Sequence, residues 1–178
     1  MKMKYELIIF LLLCFLIHAK AQESENVVYP HQLGLHAGSS TGIGLSYRYW
    51  PGKLGIQATF IPLKTDDSWK DLMGIQQFYR NIVPQIQFAR NTTFISIGLT
   101  GLLTLKPYDH FNLFSYLGNH LLFLDENTYY NTGIGLGFAI DKPVSFNFMV
   151  GYGLYDILNG INLFPTLELG VYYRFQKF

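Results

Sequence analysis

Ionisable side chains are sparse in this sequence, and those best placed for chemistry are Arg48, Glu168, Arg174 and His36, with Gln57 and Asn147 as polar company. Each charged residue lies between large apolar ones: Arg48 between Tyr47 and Tyr49, Glu168 between Leu167 and Leu169, Arg174 between Tyr173 and Phe175. On a strand this alternation sends charges to one face and apolar side chains to the other. A charged inner face can make a narrow polar pathway, or an ion-paired network that plugs a lumen and fixes strand register. The plug is expected, because an eight-stranded barrel is just wide enough to be filled by its own side chains. Removing Glu168 is then expected to leave an arginine unpaired and to destabilise the barrel.

Nucleophilic chemistry would need a serine, a histidine base and a carboxylate within reach of one another. His110, Ser115, His120 and Glu168 are the available groups. Ser115 and His120 are separated by an odd interval, which puts them on opposite faces of one strand. His110 adjoins a turn at the wrong end for lipid chemistry in an outer leaflet. No His/Asp/Glu spacing suits a metal. Asp66, Asp67 and Asp71 lack the glycine and distal glutamate of a calcium loop. Together with Trp69 they are read as a solvated outer loop, and Trp69 with the apolar residues of 75–88 is a candidate partner surface. The expectation is a non-enzyme with no catalytic residue, cofactor or metal.

Other parts of the chain determine where such residues would sit. Lys2 and Lys4, an apolar run from Leu7 to Ile17 and the small-residue pattern Ala19-Lys20-Ala21 read as an export signal over residues 1–21. The run is too short for a spanning helix. Residues 22–31 form an N-terminal periplasmic segment and 32–178 the domain. Cys14, the one cysteine, lies inside the signal, so disulfides and thiol chemistry are excluded downstream. Removing Lys2, Lys4, Lys20 and Glu6 from 13 basic and 12 acidic residues leaves 10 and 11, with no basic stripe for nucleic acid.

Aromatic residues make up 17% of the chain, charged ones only 14%, and 17 residues are glycine. A soluble domain carries about 25% charged residues. Without a transmembrane helix, a closed β-barrel is the remaining way to meet lipid with every backbone group paired. Period-two alternation supports it. Tyr130, Thr132, Ile134, Leu136, Phe138 and Ile140 share one face, opposite Asn131, Gly133, Gly135, Gly137 and Ala139. Large apolar residues facing out and small or polar ones facing in are the membrane-barrel pattern.

Turn formers separate the segments at Pro51-Gly52-Lys53, Lys106–Asp109, Asp125–Asn127, Asp141–Pro143 and Asn159-Gly160. The expected strands are 32–38, 41–50, 53–63, 93–105, 112–124, 128–140, 144–156 and 164–175. They form an all-β, eight-stranded antiparallel up-and-down transmembrane barrel. Residues 76–89 alternate too, but Pro84 would break the ladder of a sheet without a free edge. Residues 65–92 are therefore read as a long outer loop; the competing count merges 32–50 and promotes 76–89. Tyr49, Trp50, Phe138, Phe146, Tyr173 and Phe175 then form a periplasmic aromatic girdle, with Tyr129, Tyr130, Tyr152, Tyr155 and Phe164 at the other rim.

The stretch Thr41-Gly42-Ile43-Gly44-Leu45-Ser46-Tyr47-Arg48-Tyr49, followed by a tight turn and Leu54-Gly55-Ile56, resembles a hairpin of the small OmpX/OmpA-like eight-stranded outer-membrane barrels. Gly170-Val171-Tyr172-Tyr173-Arg174-Phe175 is similar to their last strand. The resemblance implies outer-membrane lipids and, through the C-terminal strand, the barrel-assembly machinery as partners. The very short first turn at Gly38-Ser39-Ser40 and the insertion at 65–92 depart from that family. The functional expectation is a non-enzymatic outer-membrane barrel with a structural or surface-interaction role. The alternatives are a lipid-modifying acyl hydrolase or transferase, a narrow pore, and a soluble lipocalin-like ligand-binding barrel.

Overall fold

The computed structural model describes residues 30–65, 92–108, 111–124, 127–140, 144–158 and 160–175. The export segment, most of residues 22–31, His110, the loop residues Asp66, Asp67, Trp69 and Asp71, and the segment 76–89 lie outside the described residues.

Among the described residues eight strands run in chain order: β1 His31–Gly38, β2 Gly42–Tyr49, β3 Leu54–Thr65, β4 Thr92–Pro107, β5 Phe111–Leu124, β6 Asn127–Ile140, β7 Val144–Tyr155 and β8 Asn162–Phe175. Every strand pairs antiparallel with its sequence neighbour, and β8 pairs back to β1 to close the barrel. Each boundary falls within two residues of the sequence expectation.

Alternation decides the faces. On β8, Leu167, Leu169, Val171 and Tyr173 are exposed, whereas Thr166, Glu168 and Tyr172 are buried. On β6, Ile134, Leu136, Phe138 and Ile140 point outward over inward glycines. A register shift at Thr104/Lys106 places Leu105 as an extra, exposed residue on β4, a bulge near the end that carries the termini.

Three aromatic placements are corrected, at Trp50, Tyr155 and Tyr129, the last packed against the buried distal cluster of Phe94, Leu122, Leu124 and Tyr155. Trp50 is not in the lipid-facing periplasmic girdle: it is buried inside the barrel, at the end where β1 begins, with Leu102, Phe114, Tyr116, Ala139 and Met149. Tyr49 points outward, so the next residue points in, and Gly55 leaves the indole its space: a Cβ there would lie 2.7 Å from the ring. Trp50 also meets Phe114 edge-on at 5.2 Å, and its backbone N–H donates to Pro30 O at 2.8 Å. Tyr155 likewise turns inward and joins Phe94, Leu122 and Leu124 in an apolar layer at the distal end. Tyr49, Phe138, Phe146 and Tyr173 are exposed on the wall, and Phe175 stacks on His31 with ring centroids 5.8 Å apart.

The wall is not equally tall all round. β2 pairs with β3 only from Leu45↔Phe60 to Tyr49↔Ile56, and β1 with β8 only from Ala37↔Leu169 to His31↔Phe175. Beyond those points β3 continues along β4 to Thr65, and β8 begins along β7 at Asn162. Among the described residues, Ile61–Thr65 and Asn162–Glu168 thus flank a notch in the distal rim. Each edge carries a proline, Pro62 on β3 and Pro165 on β8, the residue a strand tolerates where no neighbour needs its N–H. The expectation of a sheet without free edges holds only for the terminal half.

Candidate functional site

Among the described residues the most constrained polar constellation lies in the lumen, and its centre is a piece of backbone. The β1–β2 turn does not project from the rim. Ser39, Ser40 and Thr41 are all buried, because the short hairpin leans into the barrel. Gly42 and Gly44 have φ of +92° and +133°, conformations that side chains with a Cβ rarely adopt. On the facing wall a Cβ at Gly98 would collide with the Thr41 carbonyl, and one at Gly133 with the Ser40 side chain. Inward glycines on β4, β5 and β6 therefore make a recess for the turn.

Five strands hold the turn in that recess. From β8, the Glu168 carboxylate accepts the hydroxyls of Ser40 and Thr41 and, at 3.3 Å, the Ser40 backbone N–H. His36 stands 3.7 Å from the same carboxylate and 2.6 Å from the Thr41 hydroxyl. From β5, His120 Nδ1 is 3.0 Å from the Ser39 carbonyl, while its Nε2 is 2.9 Å from Ser96 Oγ of β4. From β6, Asn131 donates to the Ser39 carbonyl at 3.3 Å, and from β7 the Tyr155 hydroxyl meets Ser39 Oγ at 2.5 Å. Three of these bonds converge on one side chain, so Glu168 is the principal fastener.

Arg48 occupies the layer below. Its guanidinium donates to Gln57 Oε1 through Nε at 3.2 Å and Nη2 at 2.5 Å. It also stacks over Tyr172 at 4.2 Å and over Trp50 at 5.5 Å, placing its charge against π-faces in a site sealed from solvent. Arg174 is half-buried near the terminal end, opposite Gln32 in the β1–β8 register. The expected inner charges Arg48, Glu168 and His36 thus all face the lumen. Glu168 and His36 stand against each other and the turn, and Arg48 has an amide and aromatic rings among its partners.

Ser96 was missed by sequence reasoning. The available signal was parity: Ser96 and His120 both lie on inward faces of neighbouring strands. Their contact has the outline of a serine–histidine pair. However, Ser96 Oγ already accepts the Ile43 N–H at 2.9 Å and is fully buried. The pair therefore acts as a clamp on the turn and its following strand. Ser115 faces outward and His120 inward, as their odd spacing requires. Among the described residues no cluster of three His, Cys, Asp or Glu side chains is arranged for a metal.

No protein-family model matches the chain, and no curated protein matches it. Among solved structures, the crystal structure of Ail, the attachment invasion locus protein of Yersinia pestis, aligns with 14% identity and a TM-score of 0.35, covering 82% of this chain and 93% of Ail. The backbone structure of Yersinia pestis Ail in a phospholipid bilayer nanodisc aligns with 15% identity and a TM-score of 0.40, covering 82% and 97%. The fold stated above stands on the strand pairing of the chain itself.

Proposed function

We propose that this chain is an integral outer-membrane β-barrel, non-enzymatic, with a closed lumen and a structural or surface-interaction role. The observation that carries the reading is the inversion of its surfaces. Leu35, Ile134 and Tyr173 are more than 60% exposed on the outer wall, while Arg48 and Glu168 have no solvent exposure inside. A contiguous apolar band far exceeds what a soluble monomer exposes. A lipocalin-like barrel would carry the opposite orientation, with polar residues on its outer face. The outer wall is suited to lipid, and lipid is its partner.

The start of β1, the end of β8 and the β2–β3, β4–β5 and β6–β7 strand ends share one end of the barrel, which in such barrels faces the periplasm; β3 ends and β4 begins at the opposite, outward end. The last strand, ending in Tyr173-Arg174-Phe175, is the segment offered to the assembly machinery. A surface role would reside in the outer connections, Asp66, Asp67, Trp69 and Asp71 among them. The inserted turn and the apolar layers at both ends argue for a plugged lumen over a pore, and the committed oxygen of Ser96 argues against a hydrolase.

The test is electrophoresis of the full chain from outer-membrane fractions, unheated and boiled, with planar-bilayer recording of the same preparation. A detergent-dependent species that changes mobility on heating and conducts no steady current is expected. A soluble species without the shift would overturn the membrane reading, and a steady open-channel current would overturn the plug.

A further inference from the structure

The barrel wall is shorter on one side than a membrane is thick. β1 and β2 have 8 residues each, whereas β5 and β6 on the far side have 14. With a rise of about 3.3 Å per residue and a tilt of about 40°, the short wall stands about 18 Å tall and the far wall about 33 Å, against an apolar band of about 25 Å. The height is missing at the distal end. At the other end His31 packs on Tyr49 and Phe175, with ring centroids 5.1 and 5.8 Å away, an aromatic anchor for the membrane interface. The notch above the β1–β2 turn therefore lies within the height of the lipid-facing band. Its borders agree: Phe60 of β3 and Leu163 and Leu167 of β8 are exposed beside it.

The gap between β3 and β8 is three strand spacings wide, about 14 Å. Over Ile61–Thr65 and Asn162–Glu168 each border is a sheet edge with no strand opposite among the described residues. Every second residue of such an edge aims its N–H and C=O into the gap. Hydrocarbon offers these groups nothing, and open sheet edges do not persist in it. A docking strand would pair them, but Pro62 and Pro165 interrupt the ladder it would need. The charge on the two borders points to an anion. Lys64 is exposed near the top of β3, whereas the Glu168 carboxylate is turned in to the β1–β2 turn.

We infer that the notch is a site for the phosphate-bearing headgroup of an outer-leaflet lipid. This rests on the membrane reading above. A wall shorter than the bilayer draws the bilayer down to it, so the outer leaflet thins beside β1 and β2 by about 7 Å. Headgroups then reach the gap. Their phosphate and ester oxygens accept the N–H groups of the edges and face Lys64, and their hydration water serves the carbonyls. The acyl chains stay below, on the exposed Leu35 and Leu45. Ile61 and Leu63, half-buried on β3, come within reach of the headgroup.

The test is methyl relaxation of the full chain in nanodiscs of phosphatidylcholine and phosphatidylglycerol in which some headgroups carry a nitroxide. Ile61 and Leu117 are the eighth and seventh residues of strands that both start at the terminal end, so a flat bilayer would hold them at similar depth. Paramagnetic broadening is expected to be several-fold stronger at Ile61 than at Leu117, and Lys64→Glu to lower it toward the Leu117 value. Folding of wild type and variant is checked by the heat-dependent mobility shift. In a heat-modifiable barrel, broadening no stronger at Ile61 than at Leu117, or indifferent to Lys64→Glu, would overturn the headgroup site alone. A chain soluble without detergent would remove the membrane premise and the site with it.

Discussion

Gly98 of β4 lies so close beneath Thr41 of the β1–β2 turn that a Cβ at position 98 would overlap the Thr41 carbonyl oxygen. The wall residue opposite the turn must therefore be glycine. Three positions along the same strand, Gly101 faces outward, and a Cβ there would meet only the Leu117 carbonyl oxygen, at 4.0 Å. Gly98→Ala is expected to destabilise the barrel by about 2 kcal/mol or more, since an overpacked interior displaces backbone. Gly101→Ala is expected to stay within about 0.5 kcal/mol of wild type. Urea unfolding in lipid vesicles compares the two.

Glu168 gives a second contrast. Its carboxylate takes the Ser40 backbone N–H and the hydroxyls of Ser40 and Thr41. Glu168→Ala leaves these donors buried without an acceptor, and a loss of about 3 kcal/mol is expected. Glu168→Gln keeps one carbonyl oxygen in place and is expected to lose less than half as much. Equal losses for the two, measured by the same unfolding assay, would show that the acceptor is not what matters.

Trp50 separates an inward from a lipid-facing aromatic. The chain has two tryptophans, so Trp69→Phe leaves Trp50 as the only indole. Its fluorescence is expected to be blue-shifted and insensitive to brominated lipid, while Tyr49→Trp added to Trp50→Phe and Trp69→Phe is expected to be quenched. Strong quenching of Trp50 would return it to the girdle.

The strands were legible because period-two alternation and turn formers recur along the chain, so boundaries such as β6 at Asn127–Ile140 could be placed to within a residue or two. Trp50 and Tyr155 were misplaced because aromatic type and nearness to a turn outweighed parity, although parity alone points both inward. The inward glycines were read as the lining of a narrow lumen. That Gly98 and Gly133 make room for Ser40 and Thr41 depends on contacts across the barrel, which no local pattern encodes. Glu168 was legible as an inward charge, but its partner was not. A hydroxyl-rich turn reads as surface until the hairpin is seen to lean in. Pro62 and Pro165 were the overlooked clue, since each marks a strand edge that lacks a neighbour there.

The central claim is that the apolar wall faces lipid and the polar face is enclosed. Methyl-labelled full-length protein in lipid nanodiscs tests it directly through magnetisation transfer from acyl chains. Leu35, Ile134 and Leu169 are expected to receive strong transfer, and the buried Leu102, Leu122 and Met149 none. Transfer to the second set and not the first would mean that the barrel is turned the other way, and the account would fall.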